Sequence, residues 1–271
     1  VNYNTVKQLD RFLLTLNSDM PDNPPWKAYV ADNGSEDDSP DYLTGYNFPI
    51  PSTYIDWYLD ENVGYAAACN KLASQGTGDI IGLLNSDVWM TTSDVMAIAK
   101  SFEDDPNVHI LGPKQRDERG RITHAGIGGT NTAPKHRGWH MDDPHDIQFR
   151  DKVEMVTVSG SAFFVRRSTW EALASDEDYL KVVDLFVEEG SIPRERTAHL
   201  GPFLPTKHYY EETFCAYFAR HRGYGVYYDG RISIGHSWHA SHSKGSEADK
   251  YWQESQSLFR RACDMLGIEH D

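Results

Sequence analysis

The feature that most restricts the fold is an alternation of strand and helix centred on the apolar run Ile80 to Leu84, bounded by Asp79 and Asn85. A short apolar run between polar residues fits a central parallel strand covered on both faces. Before it, Tyr65 to Ser74 reads as a helix whose many alanines permit close approach to a sheet. After it, Val95, Ile98, Ala99 and Phe102 form a helical stripe ended by Asp105-Pro106, and Val108 to Leu111 is the next strand. Nearer the start, Val6, Leu9, Leu13 and Leu16 recur at helical spacing behind Asn4-Thr5, which can cap the helix. Lys27 to Ala31 is a strand running into the turn Asp32-Asn33-Gly34-Ser35, followed by a polar loop. The pattern predicts an α/β fold, a Rossmann-like, mostly parallel sheet flanked by helices, with ligands at the carboxyl ends of the strands.

Beyond about residue 113 the regularity fades, which divides one domain into an α/β half over 1–112 and an irregular half over 113–271. In the second half Val153 to Val158 and Ala162 to Val165 read as strands around Ser159-Gly160-Ser161. Ser168 with Glu171 suggests a capping box, and Glu211 to Arg222 a helix ended by Gly223. Tyr224 to Ile234 suggests two strands around Asp229-Gly230. A last helix from Ser246 carries Tyr251, Leu258, Phe259, Ala262 and Leu266 on one stripe, with Gly267 as its stop. Gly126 to Thr130 lacks the Lys-Ser/Thr ending of a phosphate loop and reads as a flexible loop.

Charge narrows the partners. With 41 acidic against 26 basic residues the chain carries a net charge of -15, so nucleic acid is not expected as the main partner. An anionic small molecule remains compatible if a cation bridges it to carboxylates. Cys69, Cys215 and Cys263 are far apart and lack the spacing of a zinc or disulfide framework, so free thiols in a reducing compartment are expected. No run of 18 apolar residues and no signal-peptide pattern occurs, so no membrane span is expected and a cytoplasmic location is the default. The opening Val1-Asn2-Tyr3-Asn4 reads as the tail of a strand that starts upstream.

Four residues stand where chemistry is expected. Asp87 follows the central strand, where a carboxylate faces the cleft and suits an oxygen-ligated ion, although Asp in such a turn also simply caps helices. His236 follows the apolar strand Ile232 to Ile234 and can supply an imidazole; with His239 and His242 it also suggests a zinc cluster or solvated histidines. Glu211 and Glu212 open a helix, where carboxylates are favoured by the helix dipole and where one can also act as a base. No Gly-x-Ser-x-Gly, His-Glu-x-x-His or Cys-x-x-Cys occurs, which removes the commonest hydrolase, metalloprotease and thiol-redox readings.

Taken in order, these segments resemble the inverting family 2 glycosyltransferases of the GT-A fold, especially the rhamnosyltransferase-like branch. Ala31-Asp32-Asn33-Gly34-Ser35 is similar to the family's Asp-Asn-Gly-Ser turn, Asn62-Val63-Gly64-Tyr65 with Asn70 to its Asn-x-Gly helix start, and Asn85-Ser86-Asp87 to its Asp-x-Asp metal motif. Val158 to Phe163 with Arg166-Arg167 looks like the acceptor-side Gly-Ala strand, and Tyr210-Glu211-Glu212-Thr213 like the Glu-Asp-x-Asp catalytic helix. Arg222-Gly223-Tyr224 and Ile234-Gly235-His236 complete the series.

The resemblance implies a metal-dependent transfer, with inversion, of a sugar from a nucleotide-diphosphate donor to an acceptor hydroxyl on an unidentified acceptor. It implies that Tyr3, Asp32, Asn62, Gly64, Asn85, Ser86 and Asp87 bind the donor, with Asp32 at the base. Asp87 and His236 would hold Mn²⁺ or Mg²⁺, Glu212 would be the base, and Gly160, Ser161, Glu211 and Trp238 would line the acceptor side. A UDP- or dTDP-sugar is favoured, since one Asp can accept from the N3-H that uracil and thymine share. The chain departs from the family in three places. Asn85 opens the metal motif, Glu212 and Phe214 replace acidic residues of the catalytic helix, and the segment 175–209 is long, either an acceptor-binding element or a surface excursion. Two other functions fit the same layer, a sugar nucleotidyltransferase and a non-catalytic nucleotide-sugar- or carbohydrate-binding protein.

Overall fold

Packing on both faces of a mixed sheet organises residues 1–45, 53–58, 62–237 and 248–271, which the computed structural model describes. In the first half, α1 (Val6–Asn17) turns Leu9, Phe12, Leu13 and Leu16 inward. Thr5 stands at its N-cap, but its hydroxyl is engaged with Asn2 and Ser86 and does not cap the helix. β1 (Ala28–Asp32) enters the Asp-Asn-Gly-Ser turn. The stretch beyond it, expected as loop, contains α2 (Ser39–Gly45) ahead of β2 (Thr53–Tyr58), which pairs with β1 in parallel. α3 (Tyr65–Gln75) buries its alanines, then come β3 (Ile80–Leu84), β4 (Val88–Trp89) and α4 (Thr92–Glu103), started by a reciprocal Thr91–Asp94 capping box. β5 (Val108–Arg116) and β6 (Ile122–His124) follow.

The second half is more regular than its sequence suggests. β7 (Ile127–Thr130) and β8 (Ala133–His136) form an antiparallel hairpin where a loop was expected. After β9 (Lys152–Glu154), β10 (Ala162–Arg166) runs directly into α5 (Arg167–Ala174). Ser168 therefore lies inside α5 and makes no capping box; Arg166 holds the N-cap position while its guanidinium donates to the carbonyls of Phe102, Asp105 and Val108. α6 (Glu177–Glu188), a 3-10 turn at Arg194–Thr197, α7 (Glu211–His221), β11 (Gly225–His236) and α8 (Ala248–Leu266) complete the chain.

The main sheet has the order β3-β10-β5-β11-β4, with β6 on β5 and β9 on β11. β3, β5 and β11 point the same way, because β10 is antiparallel to both β3 and β5 while β11 is parallel to β5. β4, β6 and β9 are reversed at the margins. The expected pair of strands around Asp229-Gly230 is one strand with a bulge, its register jumping from Asp229 opposite Pro113 to Ser233 opposite Lys114. Pro113 has no N-H to give to the ladder, and the irregularity falls beside it.

Alternating strand residues feed two cores. Ile81, Leu83, Phe163, Val165, Val226 and Tyr228 join α3, α5, α6, α7 and α8 on one face, while Val108, Leu111, Phe164, Ile232 and Ile234 join α1, α2 and α4 on the other. The long 175–209 segment belongs to the first core and is not a surface excursion. α6 buries Tyr179, Val182, Val183 and Phe186, and Asn70 Nδ2 donates to the Phe203 carbonyl at 2.9 Å. The three cysteines are free and buried in α3, α7 and α8, and burial pushes the Cys69 and Cys263 thiols up to about 12. No helix among the described residues is long and apolar enough to cross a membrane.

Candidate active site

Pairing of β4 with β11 places Val88 opposite His236, and the Ser237 amide donates to the Asp87 carbonyl at 2.9 Å. The two candidate ligands thereby meet, with Asp87 Oδ1 3.5 Å from His236 Nε2 and their side chains 10% and 9% exposed. Asp87 Oδ1 and His236 Nδ1 have no hydrogen-bond partner. Unpaired buried polar atoms are uncommon in folded proteins, and Asp87 Oδ1 is one that a further donor or an ion could satisfy. A carboxylate oxygen beside an imidazole nitrogen suits a divalent ion, so the residues present fit such a group. No third His, Cys, Asp or Glu joins them among the described residues, which leaves further positions for donor oxygens and water. His239, His242 and Trp238 lie outside the described residues.

The donor-side residues form a hydrogen-bonded collar around the start of the chain. Asn2 pairs with Asp32, its amide donating to the Ala31 carbonyl at 2.8 Å. Asp32 is 1% exposed and accepts three bonds of 2.8 Å, from Asn2 Nδ2 and from the amide and hydroxyl of Ser35. Its first role is thus to shape the turn. Asn33 Nδ2 donates to Asn62 Oδ1, and the Val63 amide returns a bond to Asn33 Oδ1, both at 3.2 Å, tying that turn to the start of α3. Gly64 sits at φ 99°, where a Cβ would meet the Lys207 carbonyl at 2.7 Å, so glycine alone fits. Ser86 is buried on Thr5, with 2.6 Å between their hydroxyl oxygens, and Tyr3 stays exposed at 39%.

The two glutamates separate as helical geometry demands. Glu212 packs on Gly160, whose Cβ position lies 3.1 Å from Glu212 Cδ and 3.2 Å from Oε2. Glu211 is 4% exposed and its Oε2 has no partner. Burial raises both carboxyls above the usual range, and the neighbouring Glu212 raises Glu211 further. The Gly160 carbonyl accepts from the Tyr65 hydroxyl at 2.9 Å, and the carbonyl of the next residue, Ser161, accepts from the Asn85 amide at 3.0 Å. One short path therefore runs from Asp87 through Asn85, Ser161 and Gly160 to Glu212.

Three supporting residues escaped the sequence reading. His124 is buried, its Nε2 accepting from the amides of Gly126 and Ser159 at 3.3 Å. Burial, helped by His136 and His236, holds its pKa down at about 3, so it braces the Ser159 to Ser161 turn as a neutral ring. Gln115 accepts from Ser161 Oγ at 2.7 Å. Lys114, fully buried, is paired with Asp143 and, at 2.9 Å, with Asp146, which pins the 143–148 loop. Each is polar and buried only because strands distant in sequence converge there, and no local pattern signals that.

The match to known families settles which fold family this geometry serves, since the family 2 glycosyltransferase sequence model covers residues 1–173. The chain belongs to glycosyltransferase family 2. This family 2 chain is 32% identical over 110 residues to the uncharacterized glycosyltransferase YfnE of Bacillus subtilis, spanning 41% of itself and 27% of that protein. Among solved structures it resembles the mannosyltransferase PcManGT of Pyrobaculum calidifontis, in complex with GDP-Man and Mn²⁺, with a TM-score of 0.58 and 16% identity over 97% of this chain and 62% of that one. GalNAc-T7 with UDP, GalNAc and Mn²⁺ gives 0.60 and 12% over 95% and 45%, and S. aureus TarS 0.56 and 14% over 100% and 65%. At such identities these likenesses establish the GT-A fold. The chain spans less than two thirds of each of these relatives, and Glu212 and His236 lie beyond the matched family segment.

Proposed function

We propose that this chain transfers a sugar from a nucleotide-diphosphate donor to an acceptor hydroxyl with inversion, in a divalent-ion-dependent reaction. The observation that carries the reading is the meeting of Asp87 with His236, joined through Asn85, Ser161 and Gly160 to Glu212. Asp87 and His236 would hold Mn²⁺ or Mg²⁺, as the family resemblance implies. When bound, the ion neutralises the charge that gathers on the departing diphosphate. Glu212 takes the proton of the acceptor hydroxyl, whose oxygen bonds to the anomeric carbon. The bond from that carbon to the diphosphate oxygen breaks, and its electron pair leaves with the nucleotide. A carboxyl raised by burial is better matched to accept a proton near neutral pH than an ordinary glutamate.

On the donor side, Asn62, Gly64, Asn85 and Ser86 frame the nucleotide and Tyr3 offers its exposed ring to the base. Asp32 already accepts three bonds, out of roughly four that a carboxylate can accept. One acceptor position would be left for the N3-H that uracil and thymine share, which favours a UDP- or dTDP-sugar. Gly160, Ser161, Glu211 and Trp238 are assigned to the acceptor side. Calorimetry against UDP-, GDP- and dTDP-sugars, with Mn²⁺ and then with chelator, tests the reading. Saturable, chelator-sensitive binding with release of the nucleoside diphosphate supports it; metal-independent binding, or none, overturns it.

A further inference from the structure

The turn at 159–161 precedes β10 and belongs to no strand, so single bonds from other parts of the fold fix it. Its middle is held where the Gly160 carbonyl accepts from Tyr65, and its end where the Ser161 carbonyl accepts from the Asn85 amide, at 2.9 and 3.0 Å. Its start is held by a side chain. The Ser159 amide donates to His124 Nε2 at 3.3 Å, and the Gly126 amide donates to the same nitrogen at 3.3 Å. Neither amide has another acceptor among the described residues. Gly126 sits at φ 85°, where a Cβ would meet Met155 Sδ at 2.9 Å, so it is packed closely and gives the ring a fixed second anchor.

His124 stands on β6 opposite Gln115 of β5 and is buried. Tyr228 meets its ring edge-on, with 6.2 Å between centroids and 78° between planes. Two N-H groups aimed at Nε2 assign that nitrogen the lone pair and place the ring's proton on Nδ1. Burial keeps the ring neutral, so the acceptor persists across the ordinary pH range. A buried amide left without an acceptor is costly, and a turn that loses one relaxes towards wherever its N-H can be satisfied.

We infer that His124 is a positioning residue for Glu212, acting through the Ser159 amide and Gly160 without itself meeting the substrate. The inference rests on the reading of Glu212 as the base, given above. Gly160 follows Ser159 directly, and a Cβ on it would stand 3.1 Å from Glu212 Cγ and Cδ. Movement of the turn therefore moves the surface against which the carboxyl rests. A misplacement of about 1 Å at a reacting group costs about 100-fold in rate, so a residue remote from the substrate can still govern turnover.

The test compares His124→Phe, which fills the space but offers no acceptor, with His124→Gln, whose side-chain carbonyl can replace Nε2. The full chain is labelled with ¹³C at its glutamate carboxyls, and the Glu212 resonance, identified by its absence from Glu212→Gln, is followed against pH. In the parent it should titrate above the ordinary 4.5. In His124→Phe the midpoint should fall by about one pH unit or more towards the ordinary value as water enters beside Gly160, and His124→Gln should restore it to within about 0.3. Affinity for UDP in Mn²⁺, measured by calorimetry, should stay within about threefold in both variants, which separates a displaced carboxyl from a collapsed site. If His124→Phe does not fold, His124→Asn takes its place, since its shorter amide cannot reach the two N-H groups. A parental midpoint near the ordinary value, an unmoved midpoint in His124→Phe, a fall that His124→Gln does not reverse, or a parallel loss of UDP affinity each overturns the inference. A parent that binds no nucleoside diphosphate counts instead against the glycosyltransferase reading, and transfer retained by Glu212→Gln counts against Glu212 as the base; neither alters the NMR outcome.

Discussion

Gly160 lies so close to Glu212 that a methyl group on it would stand 3.1 Å from both Cγ and Cδ of the carboxylate side chain. The glycine is therefore the wall against which the proposed base is positioned. Gly160→Ala should displace Glu212 by a few tenths of an ångström and lower kcat by about 10- to 100-fold, while donor affinity stays within about twofold. Calorimetry alongside initial rates checks this; a variant with parental kcat removes Glu212 from the reacting position.

Glu212→Gln keeps shape and loses basicity, so donor binding should persist while transfer falls by about 10² to 10⁴-fold. Because burial raises the Glu212 carboxyl, the parent's rate should fall as pH drops through a value above the ordinary 4.5. That acid limb should be missing from the residual activity of Glu212→Gln. An unchanged limb would point to another group, Glu211 first.

Glu211 tests a stability effect with a definite sign. Its folded pKa is raised above the unfolded 4.5 by burial, so its contribution is fully present below pH 4.5 and is lost as pH rises through the folded value. Glu211→Gln should therefore raise Tm at pH 8 by about 2 to 4 °C for each 1 kcal/mol recovered, and change it little at pH 4. Calorimetric scans at both pH values decide the matter, and an equal shift at the two would exclude titration as the cause.

Removing either Asp87 or His236 should weaken donor binding in Mn²⁺ by about tenfold or more, which is 1.4 kcal/mol. Chelation should bring the parent down to the same level and leave the variants unaffected. If Asp87→Ala binds the donor as the parent does, with and without chelator, the pair has another purpose.

Asp32 separates shaping from reading. Asp32→Ala breaks three hydrogen bonds to a charged group and should cost about 2 to 3 kcal/mol of stability, measured by urea unfolding. Ser35→Ala removes only the hydroxyl contact. If Asp32 acts on the base directly, Ser35→Ala keeps most of the donor affinity and Asp32→Ala does not; equal losses would show that the turn's shape alone matters.

The α/β class, the central strand Ile80–Leu84 and the stripe of α1 were legible because they depend on spacing within one element, where burial of one face fixes which residues are apolar. The turn after β1 was legible for a similar reason, since Asp, Asn, Gly and Ser favour turns by their own local bonds. Spacing misled at Ser168, where β10 continues straight into α5, and at Asp229, where a strand bulges without ending. The hairpin of β7 with β8 was hidden because neither short strand carries an apolar alternation.

The sequence by itself determined the helix and strand periods, the reactive residue types at strand ends, and the resemblance that named Asp87, His236 and Glu212. Only the tertiary structure decided which of them meet. Asp87 and His236 come together through the pairing of β4 with β11, and Glu212 is distinguished from Glu211 by the approach of Gly160 from the turn before β10. The buried charge of Lys114 is likewise matched by Asp143 and Asp146 from a distant loop. Local periodicity follows from the geometry of one chain segment, but a site's distances follow from how segments pack, and packing couples residues whose separation along the chain carries no signal.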